Sequence, residues 1–272
     1  MNILITSGML STFHQEQILE QQHTVYYADR DTLDICDSGQ IGGFFSTHQI
    51  DYCINCAAYT NVEQAEQDIR NYDINTVAVM NLAYQCEKSS VKLVHISTDY
   101  VFDGSKKEYL TDDHVPLNEY GKAKRLEQAV FSLSSQGKVI RTSWLYGGGK
   151  EFKNFVHTML TLAETKSELS IVSDQWSPTY TSDIVRAISE LIASRDNQHD
   201  TIFHFCNTTV KITRYDFAKE IFDYCHSPVI LYPVSDAYLT QAKRPCYSWL
   251  INDSSIQLPN RKESLHKYLN LY

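Results

Sequence analysis

Short apolar runs at residues 3–5, 24–28, 52–55, 93–96 and 139–142 each have strand length and end in small or polar residues, as buried strands bounded by turns do. Between them the period changes. Over 61–89, Val62, Ala65, Ile69, Tyr72, Val79, Ala83 and Cys86 form a helical stripe that leaves Glu63, Glu66 and Asp68 outside it, so one long amphipathic helix is predicted there. A second helix is predicted from Tyr120 to about Phe131. This alternation predicts an α/β fold with a parallel, doubly wound sheet, whose ligands sit at the carboxyl ends of the strands. Gly8, Ala57 and Thr98 all fall at such ends.

The texture shifts near residue 150. No glycine follows Gly149, and helical patterns at 152–164, 183–194 and 214–224 alternate with extended pieces at 169–172 and 202–205. A first unit over 1–150 and a second over 151–272 are therefore expected. No Pro/Ser-rich linker, repeat or low-complexity segment separates them.

A chain of 272 residues with 43% hydrophobic content has ample core material and suits one large α/β unit or a nucleotide domain with a small lobe. The net charge of −9, without a basic stripe, argues against a nucleic-acid partner. Seven cysteines are scattered along the chain. Cys53 and Cys56 have the spacing of half a zinc site, but no second pair follows, so they read as core thiols and no metal site is assigned. No apolar run approaches membrane-spanning length, and residues 1–6 read as a strand rather than a signal peptide. A soluble, cytoplasmic protein with no membrane partner is expected.

The chemistry concentrates in Asn118-Glu-Tyr-Gly-Lys-Ala-Lys124. Tyr120 and Lys124, four apart on a helix, share one face. An ammonium beside a phenol favours the phenolate and suits the tyrosine to general acid work. Tyr-x-x-x-Lys alone is a weak pattern that any helix surface can produce. Its place just after a strand ending in Ser97, Thr98 and Asp99 strengthens it, because Thr98 can complete a proton-donating site beside a carbonyl.

Ser97-Thr-Asp-Tyr-Val-Phe-Asp-Gly104 followed by Pro116-Leu-Asn-Glu-Tyr-Gly-Lys-Ala-Lys124 resembles the dTDP-4-dehydrorhamnose reductase family, within the extended short-chain dehydrogenases/reductases. The likeness runs nearly end to end, through Asn55–Thr60, Arg141–Gly147, Asn154-Phe155, Ser177–Thr181, Phe217–Phe222 and Ala242–Pro245. It implies a Rossmann-type sheet binding NADPH or NADH and a smaller C-terminal substrate-binding lobe, from which some segments return to the sheet. The implied reaction reduces the C4 keto group of a dTDP-4-keto-6-deoxyhexose, dTDP-4-dehydrorhamnose to dTDP-L-rhamnose, for surface polysaccharide.

By the same resemblance, Tyr120 donates the proton, Lys124 tunes it and bonds the nicotinamide ribose, and Thr98 holds the reacting oxygen. Asp99, Trp144 and Asn154 are implied substrate contacts, with Lys243 and Arg244 on the diphosphate. Gly8, Met9 and Leu10 are implied at the pyrophosphate turn, Asp34 and Ile35 at the adenine, and Ala57, Ala58 and Tyr59 beside the cofactor. Asp29 follows the second strand where an acid binds the adenosine ribose, whereas Arg30 suits the 2′-phosphate of NADP. NADH and NADPH both stay open.

Several turns depart from the family pattern. The first keeps only Gly8 and is about two residues shorter than the usual Gly-rich turn. A glycine is missing between Trp176 and Ser177 and another after Asn207, and Ala123 stands where relatives commonly show Ser. Two alternatives follow: a talose-type C4 epimer as product, or a catalytically silent relative acting as a binding or regulatory subunit. Pairing into a homodimer is left open.

Overall fold

The structure is a computed structural model describing residues 1–8, 19–126, 136–149, 152–194, 201–208, 211–235 and 241–271. Six strands form the central sheet: β1 (Asn2–Thr6), β2 (Thr24–Ala28), β3 (Tyr52–Asn55), β4 (Lys92–Thr98), β5 (Lys138–Thr142) and β6 (Ile202–His204). Their order is β6-β5-β4-β3-β1-β2, and every pair is parallel. From β1 the chain runs outward to β2, then returns past β1 to β3 and on to the far edge. That reversal opens a crevice at the carboxyl ends of β1 and β3, where doubly wound sheets bind ligands.

Seven helices of seven residues or more accompany the sheet among the described residues: α1 (Ser38–Thr47), α2 (Ala78–Lys88), α3 (Glu119–Arg125), α4 (Phe155–Ala163), α5 (Thr181–Ala193), α6 (Arg214–Tyr224) and α7 (Arg261–Leu269). Ile3, Ile5, Ile54 and Val94 pack under Ile184 and Leu191 of α5. Leu4, Cys53 and Leu93 face the other way, toward Ile41 of α1 and Leu82 of α2. Both faces are covered, so the strands read as unbroken apolar runs. The same alternation separates the two cysteines: Cys53 lies in the second layer while Cys56 packs against the first. No metal-binding cluster occurs among the described residues, nor is any described helix long and apolar enough to cross a membrane.

The predicted helix over 61–89 is not continuous. It divides into Val62–Ala65, Arg70–Tyr72, a π-helical stretch Asp73–Val77, and α2. Ile69, placed in the predicted stripe, is 69% exposed. The irregular winding turns two asparagines inward: Asn75 Oδ1 accepts from Tyr59 N at 2.9 Å, and its Nδ2 donates to Tyr59 O and Asn71 Oδ1. Such π-bulges gather at functional sites. The second helix is seen as α3, and its predicted end at Phe131 lies outside the described residues.

Helix α1 escapes prediction because Ser-Gly-Gln-Ile-Gly-Gly-Phe-Phe-Ser-Thr is rich in poor helix formers. Asp37 starts it by accepting from Gly39 N and Gln40 N at 2.8 and 3.1 Å. Beyond β5 a separate core gathers Val156, Ile171, Phe217, Ile221 and Leu265 around a ring cluster of Tyr146, Tyr180 and Tyr268. There Glu168–Val172 pairs in parallel with Ile230–Val234. Helix α5 and strand β6, though late in the chain, pack on and into the central sheet.

Candidate active site

Strand β4 ends in a polar tip and turns at once. Thr98 caps the 3-10 turn Asp99–Val101, its Oγ1 accepting from Tyr100 N and donating to Asp99 Oδ1, each at 3.2 Å. Helix α3 lies against that turn. Asn118 starts it by accepting from Gly121 N at 2.7 Å, and a Cβ on Gly121 would fall 2.2 Å from the Tyr100 carbonyl oxygen. This close approach brings Tyr120 and Lys124 to the end of β4. Thr98, Asp99, Tyr120, Lys124 and Trp144 line one cavity of about 230 Å³. Lys124 is 2% exposed, and its Nζ donates to Ile96 O at 2.9 Å with His95 Nε2 at 3.1 Å. The Ser97 and Thr142 hydroxyls line the same cavity, buried and without a protein hydrogen-bond partner. Buried polar atoms that the protein leaves so are met by water or by a ligand.

Asp99 is almost wholly buried, and its carboxylate accepts from Ser143 at 2.8 Å, from Ser248 and from Thr98. Burial pushes its pKa up to about 6, against the pull of those hydroxyls. The folded protein therefore binds this proton more tightly than the unfolded chain, where the value is 3.8. The stability so gained is fully present below the unfolded pKa and is lost as pH rises through about 6, a swing of about 3 kcal/mol. Urea unfolding of wild type and Asp99→Asn should show a free-energy difference that changes by about 2 kcal/mol of that swing between pH 4 and pH 7. A difference that stays flat would refute this reading of the pocket.

Trp144 has a left-handed backbone, with φ 47°, a conformation that costs a non-glycine residue on the order of 1–3 kcal/mol. Its ring lies 5.0 Å from both Phe155 and Trp176, with the Arg214 guanidinium 4.4 Å from its centroid. Trp176, in the segment that lacks a glycine, is 1% exposed and also meets Tyr100 at 5.6 Å. The shortened turn thus builds an aromatic wall.

A second cavity, of about 510 Å³, runs from Ser7 past Asp29, Arg30, Asp34 and Ile35 to Ala57 and Ala58. Ala58 lines both cavities, so they are neighbours. Next to Ser7, Gly8 packs on the end of strand β3: a Cβ there would lie 2.3 Å from Cys56 O, so only glycine fits. Met9 and Leu10 lie outside the described residues. Asp29 accepts from Thr32 Oγ1 and N at 2.7 and 2.9 Å, bonds that hold its carboxyl below the usual range. Arg30 is exposed and pairs with Asp34 at 3.8 Å.

Four anticipated contacts are placed otherwise. The Tyr59 hydroxyl turns to Asp68, 2.9 Å away, and its backbone is clamped by Asn75. Asn154 caps α4 and donates to Gly147 O and Tyr268 Oη at 3.1 Å, so its amide serves the lobe's framework. Arg244 pairs with Glu63 at 2.9 Å, and that carboxylate also accepts from Gln241 N and Ala242 N. Lys243 is exposed, and its carbonyl accepts from Asn118. The segment 241–244 is thereby clipped to the start of α3 and to the turn after Thr60. Glu63 takes only Nη2 of Arg244, whose buried Nε has no protein hydrogen-bond partner.

Residues 1–271 match the family model described as the RmlD substrate binding domain. The spore coat polysaccharide biosynthesis protein SpsK of Bacillus subtilis (strain 168) is 35% identical, with 98% of this chain and 96% of that protein aligned. A dTDP-4-dehydrorhamnose reductase of Mycolicibacterium smegmatis is 36% identical over 94% of this chain and 79% of its own length. The crystal structure of dTDP-4-dehydrorhamnose reductase from Bacillus anthracis in complex with NADP superposes with a TM-score of 0.92, at 33% identity, covering 100% of this chain and 99% of that one. The chain belongs to the dTDP-4-dehydrorhamnose reductase family. Set on this reductase framework, the residues that the sequence patterns passed over are Thr6, His95, Asn71, Asn75, Ser143 and Glu63. Thr6 and His95 had left a trace, as polar residues at or near the ends of apolar strands. The two asparagines left none, because a π-bulge carries no periodic signal.

Proposed function

We propose that this chain uses NADPH or NADH to reduce the C4 carbonyl of a dTDP-4-keto-6-deoxyhexose, dTDP-4-dehydrorhamnose, in nucleotide-sugar synthesis for a surface polysaccharide. The observation that carries this reading is the convergence of Tyr120, Lys124 and Thr98 with two unpaired hydroxyls in one cavity. Three features support the fit of a dinucleotide. Gly8 follows β1 packed on Cys56 as closely as only glycine allows, Asp29 lines the cleft where a ribose belongs, and the small Ala58 borders both that cleft and the cavity of Tyr120.

The nicotinamide, when bound, supplies the hydride that C4 requires. Tyr120 gives its phenolic proton to the C4 oxygen as charge grows there. Lys124, held below by Ile96 O, places positive charge beside the phenolate that results. Thr98, fixed as the cap of its turn, orients the same oxygen. Donors held in place before reaction stabilise that charge without reorganising. Trp144 supplies a flat, apolar wall for the sugar, braced by Phe155 and Arg214.

Fluorescence titration with NADPH and NADH, followed by nicotinamide oxidation with dTDP-4-dehydrorhamnose, tests the reading. Saturable binding and turnover to a single C4 epimer are expected. Binding without turnover across several dTDP-keto sugars would leave a silent member of the family.

A further inference from the structure

Lys124 stands at the end of a row of buried polar side chains to which the reaction above gives no role. Thr6, Asn55 and His95 project toward one another from β1, β3 and β4, and are 1%, 0% and 0% exposed. Asn55 and His95 are register partners in adjacent strands. Thr6 Oγ1 donates to Asn55 Oδ1 at 2.7 Å and accepts from Cys56 N and Ala57 N at 3.0 and 3.2 Å. Asn55 Nδ2 lies 2.9 Å from His95 Nδ1, and His95 Nε2 lies 3.1 Å from Lys124 Nζ. Three strands are crossed, from the last residue of β1 to the amine under Tyr120. Polar groups persist at such depth only when they are paired.

The middle of the row is fixed by its neighbours. Asn55 Oδ1 accepts from Thr6 Oγ1 and, at 3.2 Å, from Ala57 N, while the Thr6 oxygen already takes two backbone N–H groups. Turning the amide over would set its NH₂ against the Ala57 N–H and leave the Thr6 hydroxyl without an acceptor. The Asn55 nitrogen therefore stays toward the ring, and the ring's other nitrogen faces Nζ.

We propose that His95 is a positioning residue for Lys124, holding Nζ in place, with the Asn55 amide as its fixed support. Only the kinetic part of the test rests on the reductase reading. His95→Phe removes both ring nitrogens, whereas His95→Gln keeps a side-chain amide able to donate or accept toward Nζ. Loss of a hydrogen bond to a charged group should lower kcat of the Phe variant roughly ten- to hundred-fold. KM for the nucleotide sugar and the affinity for NADPH should stay within about threefold. The Gln variant should recover most of the loss. Wild-type kcat in the Phe variant, or a Gln variant no better than Phe, overturns the proposal.

Imidazole nitrogen NMR tests the contact without turnover, and also if the Phe variant fails to fold. Lys124→Met should move the His95 Nε2 resonance, and an unmoved resonance overturns the proposal. If the resonance moves but the wild type turns over no keto sugar, the reductase reading falls and the His95–Lys124 contact stands.

Discussion

Replacing Tyr120 by Phe should lower kcat by about 10²–10⁴-fold, the usual contribution of a positioned general acid, while NADPH binds within a few-fold of wild type. The ring itself is structural. It meets Tyr100 edge-on, with centroids 5.6 Å apart, and is 9% exposed within the cluster that includes Trp176. Phe keeps those contacts and removes only the hydroxyl, so unfolding free energy should change by no more than about 1 kcal/mol. Activity and stability are thereby separated in one variant. Stopped-flow reduction of the keto sugar, with a urea unfolding curve alongside, measures both. Turnover within tenfold of wild type would assign the proton to another group in the cavity. Asp99 is then the first to examine, since its pKa of about 6 keeps a fraction of it protonated near neutrality.

The sheet was legible because burial on both faces writes an unbroken apolar run, and five of its six strands fall on the runs first seen. Strand β6 was read only as an extended piece, since a three-residue edge strand carries little pattern. The proposed catalytic face stood out for a related reason: Tyr120 and Lys124 are four apart on a short helix that follows a strand end. What stayed hidden depends on contacts distant in sequence. Glu63 meets Arg244 across 181 residues, and the Ser248 hydroxyl reaches Asp99 across 149. Neither pairing has a local signature. The shortened first turn looked like damage, yet the glycine it keeps is the one pressed against Cys56.

Gly121→Ala should be far more damaging than a methyl group on a helix ordinarily is. Alanine is the better helix former, favouring the change by about 1 kcal/mol in an exposed helix. At residue 121 the new Cβ would lie 2.2 Å from the Tyr100 carbonyl oxygen and 3.0 Å from Pro116 Cβ. A backbone oxygen cannot swing aside as a flexible side chain can, so α3 must retreat from the 99–101 turn. Overpacking of this kind costs about 1–3 kcal/mol, and the retreat carries Tyr120 and Lys124 with it. Both neighbours of the reacting oxygen then move together, so kcat should fall by 10²-fold or more, as misplacement of about 1 Å does. Gly43→Ala is the matched control. It lies in α1, its Cβ would meet nothing within 4 Å, and it should stabilise the protein by about 0.4–1 kcal/mol without touching kcat. If the two variants behaved alike in urea unfolding and in turnover, the close seat of α3 on the strand-end turn would not be what sets the catalytic pair in place.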